Sequence, residues 1–212
     1  MNEKIYRICI TNRHLVSGFD EMVTDSTLGN KESASGIRRQ QQCYLKQVEC
    51  ALSRKPNLLI LREKDLTEQE YEALAVKVLN LCKRYQVECI LNSYANVAIR
   101  LGVPRIHLPM WQLRKLTMEE RKHFQKIGVS VHSVEEAVEA EKCRVDYIIA
   151  GHIFATDCKK GVPPRGLGFL EEVCRMVFIP VYAIGGIHED NAKDCVDAGA
   201  AGVCMMSEYM KD

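Results

Sequence analysis

Eight short runs rich in isoleucine and valine recur along this chain, separated by stretches whose apolar residues are spaced as in helices. The runs read YRICIT, NLLILRE, VECILN, RIHLP, VSVH, YIIAGHIF, PVYAIGG and GVCMMS. They are almost continuously apolar, which is the pattern of parallel strands covered on both faces rather than of strands with one wet face. Eight strand-helix alternations predict a parallel sheet with helices outside it, and the economical closure of such a set is an α/β (β/α)8 TIM barrel. A chain of 212 residues has room for one sizeable core, so residues 1–212 are expected to form a single domain.

Helix starts are marked by capping chemistry. In LTEQEYEALAVKVLNLCKRYQ, Leu74, Val78, Leu81 and Cys82 fall at helical intervals behind Thr67, with Glu70 three residues further on. A threonine and a glutamate so spaced satisfy each other's free backbone amides at a helix N-terminus. Thr117 with Glu120, at the head of LTMEERKHFQKI, and Ser133 with Glu136 repeat the arrangement. Two places break the rhythm. Residues 17–36 are rich in Ser, Thr, Asp and Gly and read as a polar flexible loop, placed where a lid would be. At the other end, Asp212 follows the last strand run too soon for a full outer helix of about ten residues, so the final helix is expected to be short or absent. The barrel face left open in that case is the reason to expect a homodimer.

Charge narrows the partners. Lys and Arg number 29 against 28 Asp and Glu, a balance that argues against a nucleic-acid or membrane-surface binder and for a small-molecule partner. The opening MNEKIYRICITNR carries charges inside its apolar run, and nowhere do about 18 apolar residues follow one another, so a cytoplasmic location is expected. The ten cysteines include no C-x-x-C pair. They read as reduced packing residues rather than disulfides or a zinc site.

In a parallel barrel the chemistry lies at the carboxyl ends of the strands. The runs end in Arg62, Glu63 and Lys64, in Asn92 and Ser93, in His107 and Pro109, and in His132. The last three lead into Thr156 to Lys160, Gly185 and Gly186, and Met206 and Ser207. Arg62 and Lys64 share one face of their strand and leave Glu63 on the other; the two cations either meet an anionic ligand or form salt bridges at the rim. Gly185-Gly186 serves either a tight turn or a close backbone approach to an anion, and Thr156, Lys159, Met206 and Ser207 would complete a phosphate cradle of the kind that recurs after the last strands of this fold. His132 titrates nearest neutrality and is the candidate for proton transfer. Cys158 is read as a pocket-lining residue rather than a nucleophile. His107 and His152 lack the clustered carboxylates or H-x-H spacing of a metal site, so no metal and no cofactor are expected.

The segments VSVHSVEEAVEAEKCRVDYIIAGHIFATDCKKG, IPVYAIGGI and AGAAGVCMMS resemble the thiamine-phosphate synthase and thiazole tautomerase superfamily, whose members are (β/α)8 barrels. GHIFATDCKKG is most similar to its TenI-type tautomerase branch. Synthases of the superfamily carry an Asn-Asp pair after strand three and an acid after strand four, which hold the magnesium of a pyrophosphate substrate; here Ser93 and Gln112 stand in those places. That departure implies an isomerase, a metal-independent thiazole tautomerase of thiamin biosynthesis, whose substrate is a thiazole carboxylate phosphate. The resemblance then assigns the proton shift to His132, phosphate binding to Thr156, Gly185, Gly186, Met206 and Ser207, the carboxylate to Arg62 and Lys64, and the ring to Asn92 and Lys159. Thiamine-phosphate synthesis from a pyrimidine pyrophosphate and a thiazole phosphate is the alternative, and a non-catalytic phosphate-binding regulator is a third reading.

Overall fold

The computed structural model describes residues 5–17 and 30–211. Each of the eight apolar runs contains a strand: β1 (Arg7–Ile10), β2 (Leu58–Leu61), β3 (Glu88–Asn92), β4 (Arg105–Pro109), β5 (Lys126–Val131), β6 (Tyr147–Gly151), β7 (Val181–Ile184) and β8 (Gly202–Met205). All pair in parallel in sequence order, and β8 returns to β1 to close the barrel, with Cys9 opposite both Leu59 and Met205. The (β/α)8 barrel predicted from the alternation is therefore the fold.

Strand alternation sorts the side chains into two cores. One set points into the barrel: Ile8 and Ile10, Leu58 and Ile60, Ile90, Tyr147 and Ile149, and Cys204 pack together with Tyr6 and Tyr182. The other set, including Cys9, Leu59, Leu61, Leu91, Val129 and Ile148, packs against the helices. Three aromatic rings plug the lower interior, Tyr182 lying 5.4 Å from Tyr6 and 5.7 Å, edge-on, from Tyr147. Tyr147 fits because Gly128 faces it from β5; a Cβ on Gly128 would fall 1.9 Å from the Tyr147 ring.

The outer layer consists of α1 (Asn30–Ser53), α2 (Glu68–Tyr85), α3 (Ala95–Arg100), α4 (Met110–Leu113), α5 (Met118–Arg121), α6 (Val134–Lys142), α7 (Gly166–Met176), α8 (Ala192–Asp197) and α9 (Ser207–Met210). Thr67 and Thr117 form the expected capping boxes. Ser133 caps α6, but the Glu136 carboxylate accepts from the backbone of His132 instead of Ser133.

Two expectations are corrected. Residues 30–36 of the supposed loop belong to α1, and residues 18–29 lie outside the described residues. Tyr44, Val48 and Leu52, spaced by four, anchor α1, and each further residue toward the N-terminus adds a hydrogen bond to a helix already nucleated, which outweighs weak local composition. LTMEERKHFQKI yields only the single turn of α5. The last helix, α9, is one turn long, as expected from the position of Asp212. α1 covers the gap: the Gln47 amide donates to the Tyr209 carbonyl at 2.9 Å, and the Arg54 guanidinium lies 4.7 Å from the Tyr209 ring centre. That contact packs α9 against α1 within the one chain.

Among the described residues no helix is long and apolar enough to cross a membrane, and all ten cysteines are unpaired. The interior packing makes a direct forecast: Gly128→Ala should cost about 1–3 kcal/mol, the usual penalty of overpacking, with part of the loss recovered by adding Tyr147→Leu. Denaturant midpoints measure both; an unchanged midpoint for Gly128→Ala would contradict the close approach of β5 to Tyr147.

Candidate active site

The inward parity of β2 runs through Leu58 and Ile60 and delivers Arg62 and Lys64 to the carboxyl-end mouth. The outward parity delivers Glu63 to the helix side, where it is 2% exposed. Its carboxylate accepts from the Thr11 hydroxyl at 2.7 Å, the Tyr44 hydroxyl at 3.0 Å and the Arg13 backbone N–H at 3.0 Å. The same Thr11 oxygen accepts the backbone N–H of Arg62 at 2.9 Å. Burial pushes the Glu63 carboxyl above its usual range, against the pull of its three donors. One buried carboxylate thus joins the end of β1, α1 and the residue that starts the cationic mouth.

Above it the charges are uneven. Arg62 is half-buried, Lys64 and Lys159 are exposed, and none of the three has an ion-pair partner among the described residues. Partial desolvation of its head group in the mouth lowers the Lys64 ammonium below the usual lysine range although the side chain as a whole is exposed, and the positive charges of Arg62 and Lys159 lower it further. Burial likewise lowers the Arg62 guanidinium. The carboxylates nearby are already engaged: Asp65 with Arg13 and His14, Glu68 with Arg100, and Asp157 with Lys211 at 3.8 Å. Among the described residues, the charge without an ion-pair partner at the mouth is positive.

His107, buried beneath these cations, bonds through Nε2 to the Ser130 hydroxyl at 2.8 Å and through Nδ1 to the Tyr147 hydroxyl at 3.2 Å. Burial first, then Arg62 and Lys64, hold the ring neutral down to about pH 3. His132 stands at the end of β5 with Nδ1 2.9 Å from the Gly151 carbonyl. A carbonyl only accepts, so in the neutral ring Nδ1 carries the proton and Nε2 offers its lone pair. Asn92 is buried; its side chain donates to the Ser93 hydroxyl and its backbone N–H to Tyr71 Oη at 3.0 Å. Tyr71 in turn donates to the Leu61 carbonyl at 2.7 Å, so α2 fixes the ends of β2 and β3 together.

The last three loops meet as the sequence suggests. Gly185 and Gly186 have φ of 104° and 63°, and a Cβ on either would fall 2.3 Å from His152 Cβ or the Ala155 carbonyl oxygen. Both readings of the pair hold in part: the turn needs positive φ, and the close approach it permits is to the β6 loop, whose Phe154 N–H bonds to the Gly185 carbonyl at 2.9 Å. Thr156 Oγ1 accepts from the Cys158 N–H at 3.4 Å, capping a 3-10 turn that carries Lys159. Met206 Sδ lies 4.0 Å from Cys158 Sγ and 3.6 Å from Asn12 Nδ2, and Ser207 opens α9 beside it. The structure brings Arg62 and Lys159 within electrostatic reach of Lys64, and the Lys159 N–H bonds to the Thr156 carbonyl at 3.1 Å, so the cations adjoin the corner of Thr156, Gly185, Gly186 and Met206. His132 is tied to Gly151 and to neither group.

Sequence reasoning overlooked Thr11, Tyr44, Tyr71 and Ser130. Ser130 was accessible from alternation, lying between Gly128 and His132 on the inward parity; the Glu63 network needs contacts 52 and 19 residues apart that no local pattern displays. It also overlooked a cleft beyond β3 and β4, lined by Lys64, Ser93, Tyr94, Trp111, Gln112 and Lys115.

A magnesium ion of the kind the resemblance implies for synthases does not fit the residues present. Magnesium takes hard, charged oxygens in near-octahedral geometry. Here Ser93 Oγ receives the Asn92 amide, Gln112 contributes a neutral amide whose buried Oε1 has no partner, and no group of three or more His, Cys, Asp or Glu is placed to hold a metal among the described residues.

A family model described as thiamine monophosphate synthase matches residues 34–209. Thiamine-phosphate synthase of Enterococcus faecalis is 36% identical over 172 residues, 79% of this chain and 79% of the relative. Its counterpart from Clostridium novyi is 32% identical over 171 residues, 78% of this chain and 82% of the relative. Among solved structures, a thiamine phosphate pyrophosphorylase from Pyrococcus furiosus superposes with a TM-score of 0.73 at 26% identity, covering 98% of this chain and 88% of that one. These relatives overturn the expectation of an isomerase: they are named for a synthase, a transferase. Ser93 and Gln112 at the positions of the synthase acids therefore do not by themselves mark an isomerase.

His107 gives the site a pH signature. An unfolded histidine takes up a proton near pH 6.5, while the buried ring stays neutral to about 3. Between those values the unfolded state binds more protons, so stability falls as pH is lowered, by up to about 1.4 kcal/mol per pH unit for one such group. His107→Gln should flatten the decline between pH 6 and 5 in thermal unfolding; an identical slope would show that the ring titrates normally in the folded chain.

Proposed function

The chain belongs to the thiamine monophosphate synthase family, and on that premise we propose that it is a transferase that joins a pyrimidine carried as its pyrophosphate ester to a thiazole phosphate. In that reaction the ring nitrogen of the thiazole forms a bond to the pyrimidine methylene carbon, the carbon–oxygen bond to pyrophosphate breaks, and its electron pair leaves with pyrophosphate. No proton needs to be removed for the new bond to form. What the site must supply is stabilisation of the charge that builds on the leaving group, together with alignment of the two rings.

The observation that carries this reading is the set of three cations at the mouth, Arg62, Lys64 and Lys159, none of which has an ion-pair partner among the described residues. Fixed positive charges aimed at a developing anion in a partly desolvated site are worth more than the same charges in water. Arg62 offers its planar fork to two oxygens, and the lysines act as point charges. The corner of Thr156, Gly185, Gly186, Met206 and Ser207 is assigned to the phosphate of the thiazole, across the β6 loop from Lys159. Asn92 and His132, at the ends of β3 and β5, orient the rings; the Nε2 lone pair of His132 accepts a hydrogen bond from substrate.

Product formation from the pyrimidine pyrophosphate and thiazole phosphate, followed by chromatography, tests the reading. Wild type should form thiamine phosphate, and Arg62→Met should lower kcat by about 10²–10³, the usual loss for one preorganised charge-stabilising group, with its thermal midpoint retained. Absence of product with wild type, or full activity of Arg62→Met, would overturn it.

A further inference from the structure

We infer that the mouth of this barrel binds its pyrophosphate-bearing ligand without a divalent ion, with Arg62, Lys64 and Lys159 supplying the positive charge that a metal would otherwise bring. The inference rests on the transferase reading for the identity of the ligand, and on three independent observations for the absence of a metal requirement.

The donors are wrong for a hard cation. The two positions at which synthases of the superfamily carry acids line the cleft beyond β3 and β4 and hold Ser93, whose hydroxyl already receives the Asn92 amide, and Gln112, a neutral amide. Among the described residues the carboxylates bordering the mouth and cleft have partners elsewhere: Glu63 in Thr11, Tyr44 and Arg13, Asp65 in Arg13 and His14, Glu68 in Arg100, Glu120 in Thr117, and Asp157 in Lys211. A metal–pyrophosphate complex needs ligands of negative charge from the protein, and among the described residues no group of three or more His, Cys, Asp or Glu is placed to supply them. Conversely, Lys64, whose ammonium form is disfavoured by the positive charges of Arg62 and Lys159, is relieved by a bare polyanion. Adding a divalent ion to that polyanion would cancel the charge the cations are placed to meet.

Gln112 adds a positive feature. Its side-chain oxygen is buried in the cleft wall without a donor. A buried acceptor left unsatisfied is costly, and a metal ion is not its only remedy: an N–H group of a ligand ring seated beside Lys64 would satisfy it. In this arrangement the corner that a carboxylate would devote to a metal is devoted to a hydrogen bond.

Isothermal titration of inorganic pyrophosphate into the full chain tests the inference, once in EDTA and once in excess magnesium. Binding in EDTA should be at least as tight as in magnesium, should weaken with added salt as charge pairing does, and should weaken tenfold or more in Lys64→Met. Ser93→Asp combined with Gln112→Asp is the converse variant. Position 93 has a φ of 69°, a conformation that aspartate tolerates better than most residues, so the pair should fold. It should bind pyrophosphate at least tenfold more weakly in EDTA and recover on adding magnesium. Wild-type binding that appears only with magnesium would overturn the inference while leaving the transferase reading intact if product still forms. Metal-free binding without product under either condition would support the inference and overturn the transferase reading instead.

Discussion

The carboxylate of Glu63 is the contact on which the site depends. It is buried between the end of β1 and α1 with three donors converging on it, and through Thr11 it fixes the backbone of Arg62. A charge so placed is tolerated only because it is fully hydrogen-bonded. Withdrawing it from the mouth has a second effect. The strand alternation that sends Glu63 outward sends Arg62 and Lys64 inward, so Glu63 forms no ion pair with either and acts on Arg62 only through its field.

The rest of the barrel works to the same end. Isoleucines and three tyrosines fill the lower interior, and the upper interior turns polar only where the strands end. His107 closes the boundary between the two. It is held neutral by burial and by the cations above it, so it completes a hydrogen-bonded layer with Ser130 and Tyr147 without adding to their charge. On the far side, Gly185 and Gly186 let the β6 loop pack within contact distance of β7, and that packing carries Lys159 to the mouth from a distant part of the chain.

The strands were legible because barrel strands are apolar on both faces, and the caps at Thr67, Thr117 and Ser133 because their chemistry is local. The pairing of Arg62 with Lys64 on one face follows from alternation alone. What sequence could not display was long-range. The N-terminal extent of α1 comes from burial of Tyr44, Val48 and Leu52 against the barrel, and the partners of Glu63 come from β1 and α1. The chemistry was harder still. The loss of acids at Ser93 and Gln112 is visible in the sequence, but whether it changes the reaction or only the means of charge neutralisation depends on which rim carboxylates are already paired, and pairing is a property of the folded chain. The same residues therefore suggested an isomerase where the relatives are synthases.

The central claim is that three cations without ion-pair partners among the described residues share one anion site, and the amine of Lys64 reports on it directly. Its titration can be followed by carbon NMR of lysine labelled at Cε, with Lys64→Met used to assign the signal. In the free chain it should titrate below the ordinary lysine range, because burial and the charges of Arg62 and Lys159 disfavour its ammonium form, and saturating pyrophosphate should move it upward. A Lys64 that titrates as an ordinary surface lysine and does not respond to the anion would contradict the claim.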